Sequence, residues 1–103
     1  MKTKRHTDKE HAEKQFYKAI LLLEEEVECR AFFADVCTDA EVAEMSRRWL
    51  AAVMLAQGES YLDVAESTGL STATISRVSR ALKNGSGYAG VLARMKEKGE
   101  EKA

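Results

Sequence analysis

Apolar residues recur at helical spacing in six segments of the chain, and no segment alternates in the way that is typical of a strand. Thr7 and Glu10 form a capping box, which predicts that a first helix begins here and runs to about Glu28. Apolar side chains cover most of the circumference of this helix, so we expect it to be buried on more than one side. In a chain of 103 residues, a second subunit is the cover that we expect. A short helix over residues 29–36 follows.

Capping residues and glycines delimit the later helices. Thr38 and Glu41 form a second capping box, at the start of a helix that Gly58 is expected to end. A turn over residues 84–87 separates the last two helices, and the final helix is predicted over residues 88–96. The fold class predicted from this pattern is all-α, with about six helices.

The segment from Tyr61 to Arg80 has the pattern of a helix-turn-helix. Ser60 and Ser71 are placed to cap its two helices. Gly69 supplies the positive φ that a sharp turn requires, and Ala65 is small enough for the helices to approach each other where they cross. Four apolar residues fall on the inward faces of the pair: Val64, Leu70, Ile75 and Val78. The second helix of such a motif can lie in the major groove of DNA.

These elements predict one all-α DNA-binding domain. It is expected to span residues 8–98, between a basic N-terminal tail (residues 1–7) and a frayed C-terminus (residues 99–103). Within the domain we expect dimerisation helices over residues 8–58, the helix-turn-helix over residues 61–82 and a last helix over residues 88–97.

Composition excludes several classes of protein. Apolar residues make up 45% of the chain, which is typical of a globular protein. No apolar run approaches the ~20 residues of a membrane-spanning helix and no signal-peptide pattern opens the chain, so we expect a cytoplasmic protein. Cys29 and Cys37 lack the spacing of a metal site, and we expect them to be small buried side chains. We predict no cofactor, no metal and no enzyme, because there is no nucleophile–base pair and no glycine-rich phosphate loop.

Charge is distributed unevenly along the chain, although the net charge is only −1. Between Glu24 and Glu66 there are eleven acidic and three basic residues, whereas residues 69–96 contain five basic residues and no acidic one. DNA affinity comes largely from local neutralisation of phosphates, so a basic face on a nearly neutral protein is sufficient. The alternative, in which these basic residues are only solvated, does not explain why acids are absent here.

A helical wheel places Ile75, Val78 and Leu82 on the buried side of the second motif helix. Arg77 and Arg80 lie on the other side, where an arginine can bond both O6 and N7 of guanine. Small residues near the helix start would allow close approach to the groove, and Lys83 is expected to contact phosphate. The predicted DNA-binding set is Ser71, Thr72, Ala73, Ser76, Arg77, Arg80 and Lys83.

The helix start at Thr38, Arg48, Gly58 and the run Ala73-Thr-Ile-Ser-Arg77 together resemble the Trp repressor family, over residues 38–82. The segment Ile75-Ser-Arg-Val-Ser-Arg-Ala-Leu-Lys-Asn-Gly-Ser-Gly-Tyr88 is most similar to the Trp-repressor-like (YerC/YecD-type) branch. The resemblance implies a double-stranded DNA partner and an intertwined all-α homodimer with interlocked N-terminal helices.

The same resemblance implies a ligand pocket. In the Trp repressor, tryptophan lies between the body and the second motif helix, where two arginines, a glycine and a serine surround it. Arg48 and Arg77 match the arginines, whereas Val78 replaces the glycine and Ala81 the serine. This degenerate pocket would comprise Thr38, Arg48, Arg77, Val78 and Ala81. We do not expect L-tryptophan to be a corepressor, and the alternative role for Arg48 is a salt bridge with Glu44.

The function predicted from these observations is a dimeric, sequence-specific transcriptional regulator. We expect a repressor, since the chain carries no separate activation domain, and a pseudo-palindromic operator whose half-sites are ~34 Å apart. One alternative is an architectural DNA binder with little sequence preference. The other is a protein-interaction module on a helix-turn-helix scaffold, with the acidic region from Glu24 to Glu66 as its docking surface.

Overall fold

The computed structural model describes residues 8–99, and within this range the chain forms six α-helices and no strand. The prediction of an all-α fold with six helices is confirmed. The helices are α1 (Lys9–Ile20), α2 (Glu26–Val36), α3 (Asp39–Ala56), α4 (Tyr61–Thr68), α5 (Thr72–Asn84) and α6 (Gly87–Glu97). Two compact units are present, and their described parts are residues 8–38 and residues 39–99. None of the helices within residues 8–99 combines the length and the apolar character needed to cross a membrane.

The first unit begins with α1, whose N-cap is Asp8. Its carboxylate accepts a hydrogen bond of 2.9 Å from the backbone N–H of His11. Thr7, which we expected in a capping box with Glu10, lies outside the described residues. The prediction that this helix continues to about Glu28 is wrong, because α1 ends at Ile20 and a new helix begins at Glu26.

A run of glutamates explains the break between α1 and α2. The side chain of Glu28 accepts hydrogen bonds from the backbone N–H groups of Glu24 at 2.7 Å and of Glu25 at 3.2 Å. These two bonds lower the pKa of the Glu28 carboxyl below its ordinary value. Carboxylates are stabilised at a helix N-terminus, whereas several of them in the middle of one long helix would repel each other. The sequence therefore starts a second helix here.

The first unit contains apolar side chains but no buried core. Neither α1 nor α2, which lie wholly within the described residues, contains a buried residue. Phe16 and Phe32 stack with their ring centroids 6.0 Å apart, and both remain partly exposed. Leu21 and Leu22, in the break, are 82% and 78% exposed. The burial that we expected for the first helix is therefore not provided by this chain alone.

Cys29 and Cys37 correct a further prediction. Cys29 is exposed on α2 and Cys37 is half-buried at its end. The expectation of two small buried side chains is therefore wrong for Cys29, because α2 has no packed side on which to bury it.

The second unit is built around α3. Helices α4, α5 and α6 each pack against α3, and α5 also packs against α4 and α6. Ala51 and Ala52 of α3 have no exposed surface, and their small side chains let neighbouring helices approach closely. The buried core comprises Ala51, Ala52, Met54, Val64, Leu70, Ile75 and Val78. The prediction that Val64, Leu70, Ile75 and Val78 face inward is confirmed.

The turn between α4 and α5 forms as the sequence predicts. Ser60 caps α4, since its hydroxyl oxygen accepts a hydrogen bond of 3.1 Å from the N–H of Asp63. Ser71 caps α5 in the same way, with a hydrogen bond of 3.2 Å from the N–H of Thr74. Gly69 ends α4 with a φ of 76°. Thr68 adds a contact that the sequence did not indicate: its hydroxyl donates to the carbonyl of Val64 at 2.7 Å and accepts from the N–H of Leu70 at 3.2 Å.

We predict that Gly69→Ala lowers the free energy of unfolding by about 1 kcal/mol or more, because a side chain at this φ is strained although there is room for it. Gly90→Ala is the matched control, since Gly90 lies inside α6 with open space around it and alanine favours a helix interior. Urea unfolding followed by circular dichroism measures both. Equal effects of the two substitutions would contradict the role of the left-handed turn.

Candidate nucleic-acid interface

Helix α5 has a buried side and an exposed side. Ile75 and Val78 are 0% and 3% exposed and hold α5 in the core, and Leu82 one turn later is half-buried. Six of the seven residues predicted to contact DNA lie on α5, where Ser76 is half-buried and the other five are exposed: Thr72, Ala73, Arg77, Arg80 and Lys83. The structure thus brings these six together on one helix, on the side away from the core.

Ser71 belongs to the same predicted set, but its hydroxyl has a local role. The oxygen accepts from the N–H of Thr74 at 3.2 Å and donates to the hydroxyl of Thr74 at 3.1 Å. Both bonds fix the first turn of α5. A contact between this hydroxyl and DNA would have to replace them.

The basic residues of α5 have no acidic partners. Among residues 8–99, Arg77, Arg80 and Lys83 make no ion pair, whereas Arg30 pairs with Glu26 in α2. Helix α5 itself contains no acidic residue. Three positive charges on one exposed helix face are therefore available to an anionic partner.

Helix α5 has dimensions that suit the major groove of DNA, and two of its arginines share one face. Arg77 and Arg80 are three residues apart, so their side chains project from the same face of α5 on successive turns. The thirteen residues of α5 span roughly 20 Å at 1.5 Å per residue. The major groove is about 12 Å wide and admits a single α-helix of this kind.

A small pocket lies beside the exposed face of α5. It has a volume of about 150 Å³ and is lined by Arg48, Thr74, Arg77, Val78, Ala81 and Tyr88. Four of the five residues predicted for a ligand pocket therefore meet here, and Thr38 is not among those that line it. Thr74 and Tyr88 were not predicted. Thr74 could have been found, because it lies one turn before Val78, whereas Tyr88 comes from α6 and no sequence pattern placed it.

Arg48 makes the salt bridge that we considered as its alternative role. Its Nε lies 3.3 Å from Oε2 of Glu44, and Arg47 contacts Oε1 of the same carboxylate at 3.1 Å. These side chains are about half exposed, so the pairs contribute little to stability. Arg48 thus lines the pocket while Glu44 partly neutralises its charge.

Residues 8–99 contain no candidate metal site, since no group of three or more histidine, cysteine, aspartate or glutamate side chains in this range could hold an ion.

The sequence of this chain is similar to those of known proteins. The family model described as Trp repressor protein matches residues 11–96. The chain is 43% identical to the uncharacterized protein YerC of Bacillus subtilis strain 168. The similarity extends over 84 residues, which are 81% of each chain.

Two solved structures have the same fold. A TrpR-like protein from Eubacterium eligens has a TM-score of 0.79 and 46% identity, over 84% of this chain and 90% of that one. A protein from Staphylococcus aureus that is proposed to be a Trp repressor has a TM-score of 0.79 and 42% identity, over 84% of this chain and 87% of that one.

Proposed function

The chain belongs to the Trp repressor family. Because members of this family are DNA-binding regulators rather than enzymes, we propose that the protein represses transcription by binding a pseudo-palindromic operator as a homodimer. The observation that carries the proposal is the exposed face of α5. It presents Arg77, Arg80 and Lys83 without acidic partners, on a helix whose opposite side is fixed by Ile75 and Val78. A rigid basic helix of this kind fits the major groove.

The side chains of α5 would have different roles in the groove. Arg77 and Arg80 would read bases, because a guanidinium can form paired hydrogen bonds with guanine. Thr72, Ala73 and Ser76 at the start of the helix are small and would allow close approach. Lys83 in the last turn would contact phosphate, which positions the protein without selecting a sequence.

A homodimer would supply the cover that the first unit lacks. Neither α1 nor α2 contains a buried residue, and Leu21 and Leu22 are largely exposed. Burying a leucine side chain stabilises by ~1.5–3 kcal/mol, so a partner that covers this region would gain considerable binding energy. Two copies related by a two-fold axis would present two α5 helices, which explains why we propose a pseudo-palindromic site.

We predict that Arg77→Ala and Arg80→Ala each weaken binding to the preferred site by roughly 5- to 100-fold, because each removes a base contact worth ~1–3 kcal/mol. The preferred site is first obtained by selection from random duplex DNA, and gel shifts at fixed salt then measure Kd. Lys83→Ala is expected to weaken all sequences alike and to reduce the dependence of affinity on salt.

Arg30→Ala is the matched control for these variants. It removes the same charge from an exposed side chain of α2, outside the helix-turn-helix. We expect DNA affinity close to that of the unsubstituted protein. Equal losses in all four variants would indicate attraction by net charge only, and no enrichment of any site in the selection would favour the weakly specific binder.

We predict that the chain is a dimer at micromolar concentration and that Leu21→Asp combined with Leu22→Asp shifts it to monomer, because charged side chains cannot be buried at the interface. Light scattering after size-exclusion chromatography measures the mass. Leu62→Asp is the control, since Leu62 is 69% exposed on α4. A monomeric unsubstituted protein, or a dimer unaffected by the double substitution, would exclude this interface.

We predict that L-tryptophan does not bind. The pocket of about 150 Å³ is similar in volume to a cavity that holds benzene, and the buried Val78 occupies one wall of it. Isothermal titration with millimolar L-tryptophan is expected to show only heat of dilution, whereas saturable heat would contradict the prediction. Titration of Val78→Gly under the same conditions tests whether the isopropyl group is the obstacle.

A further inference from the structure

Tyr88 lies at the meeting point of three helices of the second unit. Its ring centroid is 6.2 Å from that of Trp49 on α3, with an angle of 28° between the planes. Trp49 and Tyr88 both pack against the buried core. Offset stacking at this distance is a favourable aromatic geometry. The contact therefore attaches the start of α6 to α3.

Tyr88 also lines two open spaces. One is the pocket of about 150 Å³ described above. The other is an apolar groove of about 500 Å³, lined by Trp49, Ala81, Gly85, Gly87, Tyr88 and Val91. Tyr88 and Ala81 line both spaces. Removing the ring would thus take away a wall that both spaces share, next to Ala81 of α5.

The C-terminal part of α5 is less firmly anchored in the core than the part before it. The buried residues of α5 are Ile75, Val78 and Ser79, so none of the last five residues of the helix is buried. Arg77 lines the same pocket as Tyr88, and Arg80 lies next to Ala81 in sequence. The two arginines proposed to read bases therefore lie on either side of Val78 and Ser79, where the buried part of α5 ends.

Gly85 ends α5 at a point where the backbone leaves no room for a side chain. Its N–H donates to the carbonyl oxygen of Ala81 at 2.9 Å, and a Cβ at this position would lie only 2.9 Å from the same oxygen. Its φ of −96° is ordinary, so glycine is needed for space and not for conformation. The chain reverses here, and Tyr88 follows three residues later beside Ala81.

We propose that Tyr88 is a positioning residue for DNA recognition, which holds the C-terminal half of α5 at the angle that Arg77 and Arg80 require. This rests on the proposed function, since it assumes that α5 binds DNA. The ring does the positioning and the hydroxyl does not, because that hydroxyl makes no hydrogen bond to another residue within 8–99. Loss of the ring should reduce the discrimination between sequences more than it reduces attraction to DNA in general.

The test compares Tyr88→Ala, Tyr88→Phe and Leu92→Ala, each measured on the selected site and on random duplex at a temperature well below the unfolding midpoint. Leu92 is the matched control, because it is a half-buried apolar residue on the same helix that lines neither space. We expect Tyr88→Ala to lower affinity for the selected site on the order of tenfold, with a much smaller change on random DNA. Tyr88→Phe should retain the unsubstituted ratio of the two affinities, and so should Leu92→Ala.

A second variant makes the test independent of the stability of Tyr88→Ala. Gly85→Ala removes no side chain but forces the turn away from Ala81, so it should lower the same ratio. An unchanged ratio in both Tyr88→Ala and Gly85→Ala would overturn the proposal, as would an equal loss in Leu92→Ala. These results differ from failure of the proposed function itself, in which the unsubstituted protein would show no preference for any site.

Discussion

The burial of Ile75 and Val78 against the alanines of α3 is the interaction on which the rest of the second unit depends. Because Ala51 and Ala52 have no exposed surface and no large side chain, α4 and α5 can both approach the same helix. That contact decides which side of α5 is hidden, and a helix with one side hidden must present the other to solvent. The direction of the exposed Arg77 and Arg80 is thus a consequence of packing, since the burial of Ile75 and Val78 determines it. A large side chain at Ala52 would disturb the proposed interface without touching any residue of it.

The parts of the fold that could be predicted from the sequence are those in which local chemistry decides the outcome. Ser60 and Ser71 begin helices because their hydroxyl oxygens satisfy backbone N–H groups, and Gly69 ends one because it adopts a positive φ. The inward positions of α5 followed from helical spacing for the same reason. Helical spacing also predicts which residues of the candidate site share the exposed side of α5. The site was predicted poorly where Tyr88 joins it, because the place of α6 depends on a turn whose direction no spacing rule gives.

The first unit shows the opposite situation. Apolar spacing predicts a first helix that continues to about Glu28, but local electrostatics at Glu24, Glu25 and Glu28 favour a helix start at Glu26. Periodicity counts apolar side chains and gives no weight to carboxylates that can satisfy backbone N–H groups. The break leaves Leu21 and Leu22 exposed, and a unit without a core contributes little stability by itself. The proposed dimer follows from this deficit, since folding of the first unit and association would then be the same event.

The uneven distribution of charge along the chain bears on the proposed function. Residues 24–66 contain eleven acidic and three basic residues, whereas residues 69–96 contain five basic residues and no acidic one, so the protein is nearly neutral while α5 is positive. A uniformly basic protein would bind any DNA tightly, whereas a small basic face limits the number of phosphate contacts. The fewer the phosphate contacts, the larger the share of the binding energy that must come from Arg77 and Arg80 at base edges. Those contacts are short-ranged and require a fixed helix, so α5 needs an anchor at both ends. The core holds the first end through Ile75, and the ring of Tyr88 is placed to hold the second.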